Sequence, residues 1–167
     1  MSARVWKFGD GVDTDVMAPG HYMKLPPAEL ARHCLEAVRP EFAAAVQNGD
    51  VLVAGRNFGI GSSREQAPQA LKELGISAVI ASSFGGIFYR NALNLGLVAL
   101  TCDATERIPD GAAITVDPVA GRIVLPELDL ILECEPLPPF LLDMVKDGGL
   151  LPHLQRRQAR LAAKETP

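Results

Sequence analysis

The sequence is poor in aromatic, cysteine and histidine residues, and it has no excess of positive charge. Aromatic side chains make up 5% of the 167 residues, there are three cysteines and three histidines, and the formal net charge is −4. This balance is not typical of a general nucleic-acid binder, which needs net or clustered positive charge to meet phosphates. The basic cluster at residues 156–164 fits a solvent-exposed final helix.

The cysteines are too scattered along the sequence to predict a metal site. Cys34, Cys102 and Cys134 match neither zinc nor iron–sulfur spacings, and their odd number argues against a disulfide framework. We therefore expect reduced thiols. No apolar run is long enough to span a membrane and the N-terminus lacks a signal-peptide core, so we expect a cytoplasmic protein.

The pattern of predicted strands and helices changes along the chain. Over residues 51–100, apolar strand-like runs alternate with helical segments, which is typical of parallel α/β units. After residue 113, apolar runs on both sides of a turn at residues 117–121 predict a β-hairpin. The length and the 48% hydrophobic content fit one domain over residues 1–167, with a polar tail from about residue 155. We therefore predict an α/β fold with a mostly parallel central sheet and an appended β-hairpin.

The segment over residues 50–68 carries the clearest chemical signal. A short apolar run predicts a buried strand, and the glycine-rich turn after it leads into a helix. Ser62 and Ser63 occupy positions typical of helix N-caps, and Arg64 can bind a carboxylate with two hydrogen bonds. Because the free amides of a helix start attract anions, this pattern predicts a pocket for a small carboxylate with a hydroxyl beside it.

A simpler interpretation stays open from the residues alone: the two serines only cap a helix, and Arg64 forms a surface ion pair. Two nucleotide-binding motifs are excluded. The dinucleotide fingerprint requires a third glycine where Arg64 stands, and the phosphate loop requires a Gly-Lys-Ser/Thr tripeptide. Asp10, Asp13 and Asp15 precede the segment, but they lack the glycine and terminal glutamate of a calcium loop.

Three blocks of the sequence resemble the small, swivelling domain of the aconitase family and follow one another in that family's order. They are GDGVDTDVMAPGHYMK at residues 9–24, RNFGIGSSREQAP at residues 56–68 and SSFGGIFYRNALNLGL at residues 82–97. Within the family, the chain resembles the free-standing small subunits of isopropylmalate dehydratases, with those of homoaconitases and dimethylmalate dehydratases close by. The resemblance implies a three-layer β/β/α swivelling domain.

The resemblance also implies a hydro-lyase, which moves a hydroxyl group between adjacent carbons of a hydroxy di- or tricarboxylic acid. It implies that Ser62 is the base that removes a proton, that Arg64 holds a substrate carboxylate, and that Ser63 supports this site. Tyr22 begins the family's specificity loop, so Tyr22 and Lys24 become candidate substrate contacts. A solvent-facing Lys24 is the alternative. We expect this loop to be mobile, because it lacks a core-facing pattern.

By the same resemblance, this chain is half of an active site. The family's [4Fe-4S] cluster, a Lewis acid for the departing hydroxide, is expected on a large partner subunit, with no cofactor in this chain. Gln66 and Ile60 depart from the residues usual in the family and leave the substrate open among isopropylmalate, homocitrate-type and dimethylmalate compounds. An alternative of a different class is a non-catalytic module that binds a carboxylate.

Overall fold

Seven strands form one sheet in the computed structural model, which describes residues 3–165. The spatial order is β4-β3-β2-β1-β5-β6-β7, parallel from β1 to β4 and antiparallel from β1 through β5 to β7. The predicted α/β class, the parallel unit and the hairpin are confirmed. The strands are β1 (Ala3–Lys7), β2 (Val51–Ala54), β3 (Ala78–Ala81), β4 (Val98–Thr101), β5 (Ala113–Asp117), β6 (Arg122–Leu125) and β7 (Leu130–Glu133).

Helices fill most of the connections and the end of the described chain. The polar tail predicted from about residue 155 forms most of α7, and residues 166–167 of that tail lie outside the described part. No helix within residues 3–165 is long and apolar enough to cross a membrane. The helices are α1 (Thr14–Met17), α2 (Pro27–Ala31), α3 (Phe42–Ala45), α4 (Gln66–Glu73), α5 (Gly86–Asn94), α6 (Pro139–Lys146) and α7 (Leu150–Glu165).

Two helices are shorter than the sequence predicts. The proline pair at Pro26 predicts a helix from there to about residue 35, and the run over residues 40–47, which Asn48-Gly49 stops, predicts another. In the structure the first ends at Ala31 and the second is reduced to α3. At Leu35 the backbone takes a left-handed conformation (φ 62°), and the Leu35 N–H donates to Val16 O at 3.0 Å. This tertiary hydrogen bond turns the chain where helical propensity alone would continue it.

Alternate residues of the buried strands point to opposite faces of the sheet and build two apolar clusters. Leu52 and Val79 belong to the cluster under α2, α4 and α5. Val51 and Ile80 belong to the second cluster, where they meet inward side chains of the antiparallel strands such as Ile123. The antiparallel half of the sheet therefore folds back over the parallel half, and the layers run β, β, α.

β1 lies in the middle of the sheet and is anchored by the chain's single tryptophan. The Trp6 indole N–H donates to Asp50 Oδ2 at 2.9 Å, and the guanidinium carbons of Arg4 and Arg39 lie 4.8 and 4.5 Å from the Trp6 ring. Asp50 is itself buried and also accepts the Arg4 N–H at 3.0 Å. This anchor fixes the start of the loop that leads from β1 to α1.

Candidate functional site

The glycine-rich turn over residues 55–65 leaves the carboxyl end of β2 and is fixed by aromatic packing. Phe58 is fully buried, with its ring edge-on to Phe88 at a centroid distance of 5.2 Å. Gly59 (φ 76°) lies against the same ring, so that a Cβ at this position would be 2.2 Å from Phe88 Cγ. The Gly59 N–H donates to Val12 O at 2.7 Å. The turn is therefore held against the loop that precedes α1.

The serines of this turn are not helix caps. α4 begins at Gln66 with Glu65 as its N-cap residue, and no side-chain hydrogen bond caps it. The predicted helix start near Ser62 and Ser63 is therefore wrong. The helix-start amides that were expected to attract an anion therefore belong to the chain beyond Glu65 and not to the two serines.

A buried threonine hydroxyl holds Ser62 in place. Thr14, the first residue of α1, is 1% exposed. The Ser62 N–H donates to Thr14 Oγ1 at 3.0 Å, and the two side-chain oxygens are also 3.0 Å apart, where either hydroxyl is able to donate. Thr14 Oγ1 also lies 3.4 Å from Ser62 O, to which it is able to donate. When its proton points to the nearer Ser62 Oγ instead, the Thr14 hydroxyl stabilises negative charge there.

The same short helix holds Arg64. Arg64 Nη1 donates to Ala18 O at 3.1 Å and forms an ion pair with Asp15. The Arg64 side chain is 27% exposed and that of Asp15 is 65% exposed. Both contacts use Nη1, so the rest of the planar guanidinium keeps donor capacity for a ligand. Since Thr14 and Asp15 are consecutive, α1 positions Ser62 and Arg64 together.

The three aspartates of the loop before α1 and of α1 itself each have a separate partner. Asp10 Oδ1 accepts the Arg56 N–H at 2.7 Å, and Asp13 Oδ1 caps α1 by accepting the Val16 N–H at 2.9 Å. The third, Asp15, forms the ion pair described above. Within the described chain, no three His, Cys, Asp or Glu side chains are grouped to hold a metal ion. The described residues thus offer no ligand set for an iron–sulfur cluster.

Tyr22 is held by a histidine that the sequence analysis did not single out. Its ring stacks on His33 at a centroid distance of 3.7 Å and an interplanar angle of 15°. His33 Nδ1 is hydrogen-bonded to Glu36 Oε2 at 2.8 Å, and chiefly this bond lowers the pKa of Glu36. Partial burial, followed by the charge of Glu36, raises the pKa of the Tyr22 phenol. This trio fixes the base of the loop that carries Lys24, whose side chain is exposed.

The loop after Tyr22 faces the core more than its sequence predicts. Met23 and Leu25 are half-buried against the apolar cluster under α2, α4 and α5. The expectation that this loop has no core-facing side chains is therefore wrong. A small pocket of about 120 Å³ lies between this loop and α4, where Gln66 and Gln69 line it. Gln66, one of the two departures from the family pattern, is therefore next to the loop rather than beside Ser62.

The remaining predicted positions lie on the surface of the turn. Ser63 is exposed, and Ile60 is 39% exposed although its backbone oxygen accepts the Thr14 N–H at 2.9 Å. Sequence reasoning missed Thr14 and Asp15 as partners of Ser62 and Arg64. The signal that would have found them is the Asp-Thr-Asp triplet, which had been assigned no chemistry.

A broad open cleft of about 940 Å³ lies at the carboxyl ends of β1, β2 and β3. Ligands of open α/β sheets commonly bind at this edge. Ser62 and Arg64 are not among the residues that line it, so the candidate site is the surface formed by the turn and α1. The residues that line the cleft include Lys7, Asp10, Arg56, Ser82 and Ser83.

Comparison with known proteins shows the family to which this chain is related. The model of the aconitase C-terminal domain matches residues 33–105. A 3-isopropylmalate dehydratase small subunit of Halothermothrix orenii is 51% identical over 153 residues, which cover 90% of this chain and 93% of that subunit. A methanogen homoaconitase small subunit of Methanothermobacter thermautotrophicus is 48% identical over 151 residues, 90% and 88% of the two chains.

A solved structure agrees with these relatives. The crystal structure of 3-isopropylmalate dehydratase (leuD) from Methanocaldococcus jannaschii matches with a TM-score of 0.93 and 43% identity, and the match covers 98% of each chain. The chain therefore belongs to the aconitase family, in the group formed by its separate small subunits.

Proposed function

We propose that this chain is the small subunit of a 3-isopropylmalate dehydratase. This hydro-lyase isomerises a hydroxy dicarboxylic acid by removing water and adding it back. The observation that carries the proposal is the contact between the Thr14 and Ser62 hydroxyls beside Arg64. The kinship with small subunits that bear this enzyme's name supports the choice of reaction.

Ser62 is the base in this proposal. Its Oγ, in the alkoxide form, takes a proton from the carbon next to a substrate carboxylate. A serine hydroxyl is too weak an acid to be ionised at neutral pH unless its surroundings stabilise that alkoxide. The proton of Thr14 Oγ1, 3.0 Å away, stabilises the negative charge that Ser62 Oγ carries. Exclusion of water by a bound partner would strengthen this hydrogen bond, because charge–dipole interactions grow as the local dielectric falls.

Arg64 is the substrate clamp. Its ion pair with Asp15 and its hydrogen bond to Ala18 O orient the guanidinium plane while other N–H groups stay available. A carboxylate bound by two parallel hydrogen bonds would be fixed in orientation as well as attracted. We also propose that Ser63 supports this site, and that Tyr22 and Lys24 contact the variable group of the substrate.

The other half of the site belongs to a partner. Loss of hydroxide needs a Lewis acid, and we propose that a large subunit supplies it on a [4Fe-4S] cluster, since the described residues of this chain offer no ligand set. The small-subunit names of the relatives imply such a partner. We also propose a cytoplasmic location, on the basis of this kinship alone.

A homoaconitase-like subunit is the second candidate, favoured by the methanogen homoaconitase relative at 48% identity. A dimethylmalate dehydratase would use the same groups, and the exposed Lys24 does not by itself choose among these substrates. A non-catalytic carboxylate-binding module would need Arg64, but it would have no use for the hydroxyl contact between Thr14 and Ser62. Relative turnover of 3-isopropylmalate and homoaconitate by the reconstituted enzyme separates the two enzyme candidates.

The test is steady-state kinetics of the full chain reconstituted with its large subunit. Ser62→Ala is expected to lower kcat for 3-isopropylmalate by at least about 10²-fold, the lower range for general base catalysis, with the folding stability little changed. Arg64→Lys should mainly raise KM, because a point charge cannot replace the planar fork. Near-normal turnover of the Ser62→Ala complex would remove Ser62 as the base.

A control variant at another serine tests whether the loss of any serine hydroxyl lowers turnover. Ser77 lies just before β3, in a different part of the chain, and its hydroxyl donates to Gly49 O. Ser77→Ala removes that hydroxyl. Its kinetics should match those of the parent complex. If the lone small subunit turned over 3-isopropylmalate without its partner, the split-site proposal would fail, even if the Ser62 result agreed.

A further inference from the structure

The two ends of the sheet order meet in space. β4 and β7 are the first and last strands of the seven, yet the Glu135 N–H donates to Thr101 O at 2.9 Å. Thr101 is the last residue of β4, and Glu135 lies two positions after β7. The curled sheet therefore almost closes on itself, along a seam between these two strand ends. Cys102 and Cys134 are the residues next to this hydrogen bond.

The strand directions set the register across the seam. β4 runs parallel to β1, whereas three successive antiparallel pairings lead from β1 to β7, so β4 and β7 are antiparallel. With Thr101 opposite Glu135, the next pair in an antiparallel register is Cys102 opposite Cys134. Antiparallel neighbours of this kind face each other directly.

The backbone hydrogen bonds agree with this register. The Cys102 N–H donates away from the seam to Ala81 O at 3.0 Å, and the Cys134 N–H donates away from it to Gly121 O at 2.8 Å. Outward N–H groups on both residues are the mark of a non-hydrogen-bonded pair, whose Cα atoms lie about 4.5 Å apart. A disulfide needs Cα atoms about 4.4–6.8 Å apart, so the pair is within its span.

The side chains lie on the same face. Both cysteines pack against the apolar cluster between the two halves of the sheet, whereas Cys34 is fully buried in the cluster under the helices. Cys102 Sγ donates to Glu133 O at 3.5 Å, one residue from Cys134. The two sulfur atoms are thus neighbours, and the third thiol of the chain is remote from them.

An oxidant can reach this pair from solvent. An open cleft of about 360 Å³ is lined by both cysteines, and Cys134 is half-buried where Cys102 is buried. Burial, then the charges of Cys102 and Asp117, raises the pKa of Cys134 to about 11. Acidic groups surround the pair. The charges of Asp103 and Glu106 raise the pKa of Cys102, as the charge of Asp117 does that of Cys134. The acidic residues that line the cleft are Asp103, Glu133 and Glu135.

We propose that Cys102 and Cys134 are an oxidisable dithiol, which a two-electron oxidant of the peroxide class converts into a disulfide across the seam. The Cys134 thiolate attacks a peroxide oxygen, the O–O bond breaks, and a sulfenic acid and hydroxide result; the hydroxide takes up the proton that the thiol had released and becomes the first water. Cys102 sulfur then attacks the sulfenic sulfur, its proton leaves with the hydroxyl as a second water, and the S–S bond forms. The two thiols lose two electrons, and the peroxide gains them.

The reaction is slow at neutral pH and speeds up in alkali, because the thiolate is the nucleophile. Below the pKa of Cys134, its thiolate fraction rises about tenfold per pH unit, and the rate follows it. The product closes the loop from residue 102 to residue 134 and ties the edge of β4 to that of β7. It changes an open curled sheet into a covalently closed one.

The experiment oxidises the full chain with hydrogen peroxide between pH 7 and pH 9 and counts thiols after denaturation. We expect three thiols to fall to one, a non-reducing peptide map to join Cys102 to Cys134, and dithiothreitol to restore all three. The disulfide should raise Tm by about 7–15 °C, the size expected for a loop of this length in a chain of this size.

Cys134→Ser is the control variant, because Cys134 has no part in the proposed site at Ser62 and Arg64. This variant should keep both remaining thiols and show no rise in Tm after the same treatment. Three outcomes with the parent chain would each overturn the proposal: retention of all three thiols, over-oxidation of Cys134 with Cys102 still free, or a disulfide between two chains. Peptide mapping of the parent chain decides the matter even if the variant folds poorly.

Discussion

Ser62 is exposed, but the atom that orients it is buried. Thr14 Oγ1 contacts both the amide and the hydroxyl of Ser62, so the backbone and the side chain of the proposed base share one anchor. A serine on a loop without such an anchor would exchange among rotamers, and a catalytic group must be held near its productive geometry. Arg64 is held in the same way, by two acceptors on and just after α1.

Replacement of Thr14 tests this arrangement at a single atom. Thr14→Val keeps the shape but removes the hydroxyl, so kcat of the reconstituted enzyme should fall by about 10²-fold, the scale for loss of one donor to a developing oxyanion. KM should change little, because Arg64 still binds the carboxylate. Thr14→Ser restores the hydroxyl and should recover most of kcat. A Thr14→Val enzyme with parental kcat would contradict the role of the hydroxyl pair.

At the scale of elements, the misplaced helix starts have one cause. Serine pairs precede both α4 and α5, Ser62-Ser63 and Ser82-Ser83, and such pairs predict N-caps. The structure begins α5 at Gly86 with no side-chain cap. Ser82 Oγ lies 2.6 Å from Thr105 Oγ1, and Ser83 Oγ accepts the Asn57 N–H at 2.8 Å. These serine hydroxyls form hydrogen bonds with residues distant in sequence and are therefore not used to cap the helix that follows them. The existence of both helices was predictable from local pattern, and their first residues were not.

The glycine-rich turn makes a sharper prediction, about Gly59. Its φ of 76° disfavours a side chain, and an added Cβ would lie 2.2 Å from the buried Phe88 ring. Gly59→Ala should therefore lower the free energy of unfolding by about 2–4 kcal/mol, from left-handed strain plus overpacking. Urea denaturation of the full chain measures the loss.

Gly86→Ala is the matched control for this change. Gly86 starts α5, has no atom within 4 Å of an added Cβ and has no positive φ. Alanine there should leave the free energy of unfolding within about 0.5 kcal/mol of the parent value, or raise it, because alanine favours helix over glycine. Equal losses in the two variants would mean that the packing against Phe88 does not matter.

At the scale of the whole molecule, one ion pair joins the helical layer to the sheet. Asp110, ahead of β5, accepts two bonds from Arg39 at 2.8 and 2.9 Å and one from the Lys7 N–H at 2.9 Å. The Arg39 hydrogen bond is the main cause that lowers the pKa of Asp110. Because the pKa of Asp110 is lower in the folded state than in the unfolded state, its charge stabilises the fold. That contribution is complete when the pH is above the unfolded-state pKa of about 3.9. That stability is lost as the pH falls through the folded pKa.

Asp110→Asn should therefore destabilise the chain in a pH-dependent way. At pH 7 the loss should be no more than about 1 kcal/mol, since the Asp110 side chain is 45% exposed and solvent screens the pair. The difference between the urea midpoints of the parent and the variant should shrink as the pH falls below about 3.9 and through the folded pKa of Asp110. Asp143→Asn, at an exposed carboxylate on α6, should show no such convergence. An undiminished difference at pH 2 would show that charge is not the cause.

The strand order is the part of the fold that local pattern did not contain. Alternation and turn residues predicted the parallel unit and the hairpin, because each depends on neighbours in the sequence. The place of β1 between β2 and β5 depends on side chains far apart, such as Asp50 meeting Trp6. The pairing of Thr14 with Ser62 follows from that placement, which is why the sequence of the turn singled out Ser62 and Arg64 but not their partners Thr14 and Asp15.

The central position of β1 has a consequence for the newly made chain. Val5 pairs with Val51 in β2, and Ala3 pairs with Ile114 in β5, so the first strand of the described chain is completed by the fifth. Ribosomes add about 5–20 residues per second, which separates the synthesis of those two partners by roughly 3–12 s. Until β5 emerges, β1, which is central in the finished sheet, has an unpaired edge with which other nascent chains can pair.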